Sequence, residues 1–361
     1  MRRALRLALR GEGRVEPNPM VGCVLTRRGR VIGEGYHHRF GGPHAEVEAL
    51  KAAGGSCRGA AAYVTLEPCA HVGKTPPCCD ALIAAGVARV VVGTADPNPH
   101  VPGGGIERLR RAGIRVDAGV CESEARRLIA PFTTRVTLGR PYVIAKWAQS
   151  LDGRLAAEGG DSKWISCEAS RRLVHRWRGR VDAILIGAGT AVADDPVLTA
   201  RGAGVRRVAA RVVMDGRLRL PVDAQLAKTA RDVPTLVLTL SESATSDRAD
   251  ALRRLGVEVV SCGRPSIGRL DPATALRLLA RRGATNVLLE GGATLIRAFL
   301  AAGLIDEARV FVGPIWIGGG DAHAIAPAEP VRQIAAALKP HDVTWRRSGD
   351  DGLAIVRFRT Q

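Results

Sequence analysis

Hydrophobic and polar positions follow two different periods along roughly the first third of the chain. Short runs with strand-like alternation are separated by segments in which apolar residues recur with helical spacing. The predicted strands are Val21–Leu25, Val31–Gly35, Ala61–Leu66, Arg89–Val92 and Arg115–Ala118. The predicted helices are His44–Ala53, Cys79–Ala85, Gly104–Ala112 and Glu122–Leu128. Strands that alternate with helices in this way predict an α/β layered sheet.

The same alternation begins again after Pro131 to Pro141, a segment that we interpret as a linker. The predicted strands are Tyr142–Trp147, Ala183–Gly187, Arg211–Asp215, Thr235–Thr239, Val257–Ser261, Asn286–Glu290, Glu307–Val312 and Leu353–Arg359. The predicted helices are Ser170–Gly179, Pro272–Arg282 and Ala293–Ala302. A chain of 361 residues is long enough for two domains. We therefore expect one α/β domain over residues 1–139 and a second over residues 140–361.

Composition narrows the choice of partner. Hydrophobic residues make up 46% and charged residues 24%, which excludes a globally disordered chain. The net charge of +18 points to an anionic partner, but it is spread over both halves: 20 basic and 12 acidic residues up to 139, then 33 and 23. Aromatic residues are 4%, too few for the stacking platforms of many single-strand or RNA binders. We expect a small phosphorylated ligand and no nucleic acid.

Targeting signals and redox context are also read from the sequence. The basic start, Met1 to Arg10, lacks the apolar core of a secretory signal and predicts a first helix. The longest uncharged apolar stretch, 183–193, has 11 residues, well short of the ~18 that suggest a membrane span. We therefore expect a soluble cytoplasmic protein. Eight cysteines are too sparse for a disulfide scaffold, and their clustering indicates metal binding or catalysis.

One cluster has the residue types of a catalytic zinc site. His44 opens a predicted helix, Cys69 ends a predicted strand, and Cys78 lies in a Pro-Pro-Cys-Cys segment. One imidazole and two thiolates can hold Zn²⁺ and leave the fourth position for a water whose pKa falls toward neutrality. Glu46 can move the protons without being a ligand. His-x-Glu with Pro-Cys-x-x-Cys is typical of zinc nucleobase deaminases, although here eight residues separate the cysteines.

A closed, structural zinc site is the alternative. It requires a fourth protein ligand, which His71 or Cys79 could supply. Because Cys79 directly follows Cys78, the two side chains diverge, and we expect Cys78 to be the ligand. A glutamate beside the ligand histidine has no purpose in a closed site, so we prefer the catalytic interpretation.

A longer series of motifs resembles one family. The motifs in the first half are Pro17-Asn-Pro-Met-Val-Gly22, Gly33-Glu-Gly-Tyr-His37, Pro43-His-Ala-Glu46, Thr65-Leu-Glu-Pro-Cys69, Gly73-Lys-Thr-Pro-Pro-Cys-Cys-Asp80 and Asp96-Pro-Asn98. Those in the second half are Lys146 to Arg154, Ser162-Lys-Trp-Ile165, Gly187-Ala-Gly-Thr190, Ala193-Asp-Asp-Pro196 and Leu289-Glu-Gly-Gly292. Together they resemble the bifunctional deaminase/reductases of riboflavin biosynthesis over nearly the whole chain.

The resemblance implies a fold and two reactions. The fold would be a cytidine-deaminase-like three-layer domain followed by a dihydrofolate-reductase-like domain. The first domain would deaminate a diaminopyrimidinone that carries a phosphoribosylamino group. The second would reduce the ribosyl group to ribityl with NADPH. A homo-oligomer is expected by analogy with the family.

The resemblance also implies contacts in the deaminase site. The residues that match substrate positions of the family are Asn18, His37, His71, Lys74, Asp96 and Asn98. Asn18 can offer a donor and an acceptor to a pyrimidine edge, and Lys74 can meet a phosphate as a point charge. The sequence departs from the common family pattern at Ala70 and Val72, which flank the site.

For the reductase, no G-x-G-x-x-G fingerprint follows the first strand of the second domain. Glu290-Gly-Gly292 instead lies between a strand and a helix, where a pyrophosphate can approach backbone N–H groups. By resemblance, the cofactor contacts are Gln149, Trp164, Thr190, Asp194, Gly291 and Gly292. By resemblance, the substrate contacts are Ser162, Arg178, Leu198, Arg201 and Glu290. Arg178 and Arg201 suit the sugar phosphate, while Lys146 and Asp152 either orient the ribose or are structural.

Two other function classes remain open at this point. The net charge and the His-Ala-Glu motif also fit a nucleic-acid base deaminase, which would bind polynucleotides in a salt-dependent way. A zinc-stabilised binding protein without catalysis would instead have four protein ligands and no open position. No residue is identified as the proton donor of the reduction.

Overall fold

The computed structural model describes residues 1–55, 57–72, 76–99, 104–202, 204–262, 269–319, 325 and 331–358. The chain divides into two compact units, Met1–Arg140 and Pro141–Thr360. None of the helices in the described ranges is long and apolar enough to cross a membrane. Lys74, a predicted phosphate contact, lies outside the described residues.

The first unit is built on a five-stranded sheet. Its strands are β1 Gly22–Arg27, β2 Arg30–Tyr36, β3 Ala61–Leu66, β4 Arg89–Thr94 and β5 Arg115–Ala118. Its helices are α1 Arg2–Ala8, α2 Ala45–Ala53, α3 Cys78–Ala84, α4 Gly105–Arg111, α5 Glu122–Leu128 and α6 Ala130–Leu138. The strand order is β2-β1-β3-β4-β5, with β1 antiparallel to both neighbours and β3, β4 and β5 parallel.

Alternation along β1 separates the two faces of this sheet. Cys23 and Leu25 point into a core that α2, α3 and α4 cover, whereas Val24 packs against α1 on the opposite face. Gly35 of β2 lies directly under α2, because a Cβ there would approach the carbonyl oxygen of Ala45 to 2.4 Å. The result is the helix–sheet–helix arrangement of a cytidine-deaminase-like domain, as predicted.

The interpretation of residues 131–141 as a linker is wrong. Most of this segment is helix α6. Pro131 occupies the first turn, where its missing N–H costs no hydrogen bond, and Gly139 ends the helix with a left-handed φ of 63°. Pro131 and Gly139 are therefore the start and stop signals of a helix.

The second unit contains a nine-stranded sheet. Its strands are β6 Tyr142–Gln149, β7 Ala183–Gly187, β8 Ala210–Met214, β9 Thr235–Thr239, β10 Glu258–Ser261, β11 Asn286–Leu289, β12 Glu307–Val312, β13 Asp342–Ser348 and β14 Asp351–Arg357. Its helices are α7 Glu168–Arg178, α8 Ala188–Asp194, α9 Gln225–Lys228, α10 Ser241–Ala244, α11 Asp247–Arg254, α12 Pro272–Arg281 and α13 Ala293–Ala301. The order is β10-β9-β8-β7-β11-β6-β12-β14-β13.

All strands from β10 to β12 in this order run parallel, and β14 and β13 add an antiparallel hairpin. Most residues on both faces of the central parallel strands are buried and apolar, as expected for a sheet covered by helices. The sequence analysis missed β13, because this edge strand is largely exposed and carries charged residues in place of an apolar alternation. It also missed α8 to α11, which have four to eight residues each.

One cation is buried within this sheet. Arg211 of β8 is 0% exposed, and its partners are neutral oxygens. Its guanidinium donates to the carbonyl oxygen of Val197 and to the hydroxyls of Thr229 and Thr235. Burial lowers the pKa of Arg211 to about 10. The side chain thereby ties the segment after α8 to the start of β9.

Candidate active sites

Three side chains from separate elements converge in the first unit. His44 caps α2, Cys69 follows β3 and Cys78 begins α3. Nδ1 of His44 lies 3.1 Å from Sγ of Cys78 and 3.6 Å from Sγ of Cys69. The ligand atoms of all three lie within 4.8 Å of one another. One imidazole nitrogen and two sulfurs at this separation form a donor set that suits Zn²⁺.

A fourth protein ligand is not present among the residues that the structure describes. Cys79 is fully buried, and its Sγ faces the carbonyl oxygens of Pro68 and Gly105 at 3.3 and 3.5 Å. His71 lines the adjacent cavity without joining the cluster. The arrangement is therefore an open site with three protein donors, and the closed zinc site of the alternative interpretation lacks its fourth donor here.

Ionisation at the cluster is strongly perturbed. The hydrogen bond from Cys78 lowers the pKa of Cys69 to about 4, while this bond and burial raise the pKa of Cys78. The hydrogen bond with Cys69 raises the pKa of His44. Glu46, 3% exposed in the first turn of α2, has its pKa raised by burial to about 7. Perturbed groups gathered in one cavity are typical of a functional site.

A cavity of about 290 Å³ opens beside the cluster. Five predicted substrate residues line it: Asn18, His37, His71, Asp96 and Asn98. Glu46, His44 and Cys69 line the same cavity. All of the predicted deaminase residues that the structure describes therefore line this cavity, except Cys78, which contacts His44.

His37 and Asn18 are linked in the wall of this cavity. His37 is 2% exposed, and its Nδ1 lies 2.9 Å from the carbonyl oxygen of Pro43. Its Nε2 lies 3.2 Å from Nδ2 of Asn18. The ring also meets the His44 ring edge-on, with centroids 5.6 Å apart. Burial lowers the pKa of His37.

Glu67 and Phe132 are among the lining residues of the cavity that were not predicted as site residues. Glu67 accepts hydrogen bonds from the backbone N–H groups of Asp96 (3.2 Å) and Ile106 (3.0 Å), so it holds the Asp96 turn against α4. Phe132 of α6 also lines the cavity. The sequence signal for Glu67 was its position in Glu-Pro-Cys at the end of a predicted strand. For Phe132, the signal would have been the prediction of α6 as a helix.

The second unit has an ion-pair cluster at the carboxyl ends of its central strands. Arg178, the last residue of α7, donates from Nε and Nη2 to the carboxylate of Glu290 at 2.6 and 2.8 Å. Nζ of Lys146 lies 3.9 Å from the same carboxylate. Burial alone would raise the pKa of Glu290, but Arg178 and Lys146 outweigh it and the net shift is downward. The carboxylate is therefore held ionised.

Three predicted cofactor residues meet close to this cluster. The backbone N–H of Gly292, which caps α13, donates to Oγ1 of Thr190 at 3.2 Å. A Cβ at Gly291 would come within 2.9 Å of the Leu295 side chain, so a larger residue there would require Leu295 to move. The exposed backbone of this turn before a nine-residue helix fits a cradle for a pyrophosphate.

The remaining predicted reductase residues are more dispersed. Gln149 accepts a hydrogen bond from Nε1 of Trp147 at 2.9 Å, and Asp194 ends α8. Ser162 and Trp164 lie on an exposed segment between β6 and α7, where Arg171 stacks on Trp164 at 4.4 Å.

Leu198 and Arg201 share a loop that follows α8. Leu198 is 4% exposed, and its backbone lies in the left-handed region with a φ of 52°. The backbone N–H of Arg201 lies 3.3 Å from Nδ1 of His175, which also faces the carbonyl oxygen of Thr199 at 3.0 Å. His175 and Arg178 are one turn apart on α7, so this helix supports both parts of the site.

The carboxylate of Asp152 accepts several hydrogen bonds from within the second unit. The donors are Oγ of Ser150 (2.5 Å) and the backbone N–H groups of Ile317 (3.1 Å) and Gly318 (2.7 Å). The Ser150 hydroxyl and these N–H groups lower the pKa of Asp152 to about 2. This geometry favours the structural interpretation of Asp152.

A larger cleft of about 530 Å³ lies at the amino ends of the parallel strands in the second unit. Its charged groups are paired with each other, Arg207 with Asp182 and Arg282 with Glu258. Ligand sites of open parallel sheets lie at the carboxyl ends of the strands. The Glu290 cluster, at the carboxyl ends, is therefore the better candidate.

Two family profiles match the chain. The cytidine and deoxycytidylate deaminase zinc-binding region matches residues 1–94. The RibD C-terminal domain matches residues 141–353.

Individual proteins match over most of their length. The riboflavin biosynthesis protein RibD of Aquifex aeolicus is 43% identical over 320 residues, which cover 89% of this chain and 87% of that protein. The Escherichia coli RibD is 42% identical over 340 residues, with coverages of 93% and 92%. The crystal structure of a Thermotoga maritima diaminohydroxyphosphoribosylaminopyrimidine deaminase/5-amino-6-(5-phosphoribosylamino)uracil reductase is similar with a TM-score of 0.85. It is 38% identical and covers 99% of this chain and 97% of its own.

Proposed function

Because the chain belongs to the RibD family of bifunctional deaminase/reductases in riboflavin biosynthesis, we propose that the two sites described above carry its two reactions. The substrate of the first is a diaminopyrimidinone with a phosphoribosylamino group, the compound named for the Thermotoga maritima relative. The observation that carries the proposal is the open His44–Cys69–Cys78 cluster beside a cavity lined by the five described substrate residues.

In the deaminase site, His44, Cys69 and Cys78 hold Zn²⁺. Bound zinc supplies Lewis acidity, which makes hydroxide available from water near neutral pH. Glu46 lies two residues from His44 and faces the same cavity. Its carboxylate accepts the proton of the attacking water and delivers it to the departing amino group, which leaves as ammonia.

The other residues of this cavity bind and orient the pyrimidine. Asn18, Asp96 and Asn98 present amide and carboxyl groups that match the N–H and carbonyl groups of a diaminopyrimidinone edge. His71 lines the same cavity and precedes Lys74 by three residues in the sequence. We assign the phosphate to Lys74 on the sequence pattern.

In the reductase site, Gly291, Gly292 and Thr190 cradle the pyrophosphate of NADPH, with Gln149, Trp164 and Asp194 as further contacts. NADPH, when bound, supplies the hydride. Glu290 accepts hydrogen bonds from ribose hydroxyls. Because Arg178 already gives two N–H groups to Glu290, we assign the sugar phosphate to Arg201 and the orientation of Glu290 to Arg178. Ser162 and Leu198 complete the substrate contacts.

Two properties of the whole molecule belong to the same proposal. A cytoplasmic location keeps Cys69 and Cys78 reduced, as zinc binding requires. A homo-oligomer is supported by the edge strand β13, which leaves Trp345 67% and Val343 40% exposed. Light scattering on the purified chain measures the oligomeric state.

The direct test supplies the zinc-loaded protein with the diaminopyrimidine substrate, with and without NADPH. Ammonia and NADPH absorbance are followed together. We expect ammonia in both reactions and NADPH oxidation only after deamination has begun. Zinc-loaded, folded protein that releases no ammonia would contradict the deaminase assignment, and NADPH left unoxidised by the deaminated intermediate would contradict the reductase assignment.

A further inference from the structure

A backbone carbonyl group determines which nitrogen of the His37 ring donates a hydrogen bond. The oxygen of Pro43 can only accept, so Nδ1 of His37, at 2.9 Å, must carry the proton. The ring is 2% exposed and has no carboxylate among its hydrogen-bond partners, so the neutral form is the one that burial favours. A neutral ring protonated at Nδ1 has only a lone pair at Nε2.

That lone pair determines how the Asn18 amide is turned. Nε2 of His37 faces the end of the Asn18 side chain at 3.2 Å. Only the Nδ2 amino group of Asn18 can donate to this lone pair. If Oδ1 of Asn18 lay there instead, it and Nε2 of His37 would both be acceptors and no hydrogen bond would form. The chain Pro43 carbonyl, His37 ring, Asn18 amide therefore has one consistent direction of donation.

We propose that His37 is a positioning residue that orients the Asn18 amide, so that Oδ1 of Asn18 faces the cavity as an acceptor for an N–H group of the pyrimidine. This proposal rests on the proposed deaminase function and revises the expectation that His37 contacts the substrate itself. Both residues line the cavity, but His37 is 2% exposed and offers the substrate little surface, whereas Asn18 is only half-buried. Asn18 thereby selects a pyrimidine edge that carries a hydrogen-bond donor.

A purely structural role for His37 makes a different prediction. His37 also joins the loop before His44 to the end of β2, so its loss could act through the metal cluster. In that case the effect would persist without Asn18 and would reduce zinc content or kcat. A role through Asn18 instead raises KM, and its effect disappears once the amide has been removed.

The experiment is a double-mutant cycle on the zinc-loaded full chain, with ammonia release from the diaminopyrimidine substrate as the readout. We expect His37→Phe and Asn18→Ala each to raise KM by about tenfold, with bound zinc unchanged. The double variant should be within about twofold of Asn18→Ala alone. Effects that multiply would overturn the proposal, because His37 would then act independently of Asn18.

A conservative variant keeps the test valid if His37→Phe does not fold or loses zinc. His37→Gln retains one donor for Pro43 and one acceptor for Asn18, and we expect a KM within about threefold of wild type. A His37→Gln variant that folds, binds zinc and still shows a tenfold higher KM would overturn the proposal. If the wild-type protein itself releases no ammonia, the deaminase assignment fails and the proposal fails with it; multiplying effects in an active enzyme refute the role of His37 alone.

Discussion

Arg178 and Glu290 lie 112 positions apart in the chain and form a bidentate ion pair, with N–O distances of 2.6 and 2.8 Å. Both side chains are mostly buried, at 16% and 8% exposure. The pair connects the end of α7 to the end of β11, so two of the predicted substrate residues hold each other in place. Its integrity therefore matters for stability as well as for reduction.

Replacing Arg178 by Met should both destabilise the second unit and impair reduction. It leaves the buried Glu290 with only Lys146 nearby, at 3.9 Å. Breaking a buried pair by removing one partner costs on the order of 3–5 kcal/mol. Urea denaturation and NADPH oxidation measure the two effects. Arg172→Met is the matched control on the same helix, because its pair with Glu168 is exposed and contributes about 0.5 kcal/mol or less. Equal losses in the two variants would contradict the prediction.

Glu46→Gln should strongly slow ammonia release and leave zinc in place. The amide cannot accept the proton, so the rate should fall by roughly 10²- to 10⁴-fold. Glu48→Gln, on the same helix, is the control and should keep most of the activity. Ammonia release and bound zinc are measured for both proteins. If Glu46→Gln worked at the wild-type rate, the proton-transfer role would have to move to another residue.

Cys78 and Cys79 provide a second matched pair. Cys78→Ser should lower zinc affinity strongly, because Sγ of Cys78 lies 3.1 Å from the His44 nitrogen in the cluster. Cys79→Ser should retain zinc, since its Sγ faces two backbone carbonyl oxygens away from the cluster. Zinc content after dialysis against a weak chelator distinguishes the variants. Loss of zinc from the Cys79 variant alone would reverse the ligand assignment.

Asp152 should make the stability of the second unit depend on pH. Its folded-state pKa of about 2 lies below the ordinary value of about 3.9. The stabilisation from Asp152 is therefore present above about pH 4 and is lost as the pH falls through 2. Asp152→Asn should be less stable than wild type at neutral pH, with a difference that shrinks in acid. Denaturation curves between neutral pH and pH 2 measure it; a gap that widened in acid would show that the carboxylate destabilises the fold.

The convergence of the candidate metal ligands could be predicted from the sequence because it depends on residue type and spacing. His44, Glu46, Cys69 and Cys78 form a motif with few other uses, and all of them line the cavity except Cys78, which contacts His44. Most strands were also predictable, because buried parallel strands are short apolar runs.

Other features depend on contacts between distant segments. Helix α6 was missed because proline and glycine mark both linkers and helix ends, and only packing distinguishes the two. Arg211 looked like an ordinary strand residue, since its burial depends on oxygens from Val197, Thr229 and Thr235. The direction of donation from Asn18 to His37 follows from the position of Pro43, which the sequence does not reveal.

The place of β6 within its sheet has a consequence for synthesis on the ribosome. This strand follows directly after the first unit, yet it lies between β11 and β12, whose residues emerge much later, from Asn286 and Glu307 onward. Both edges of β6 therefore stay unpaired during most of the synthesis of the second unit, whereas β1 to β5 meet their neighbours soon after they are made. A nascent chain that ends before Glu307 is thus expected to resist proteolysis over the first unit alone.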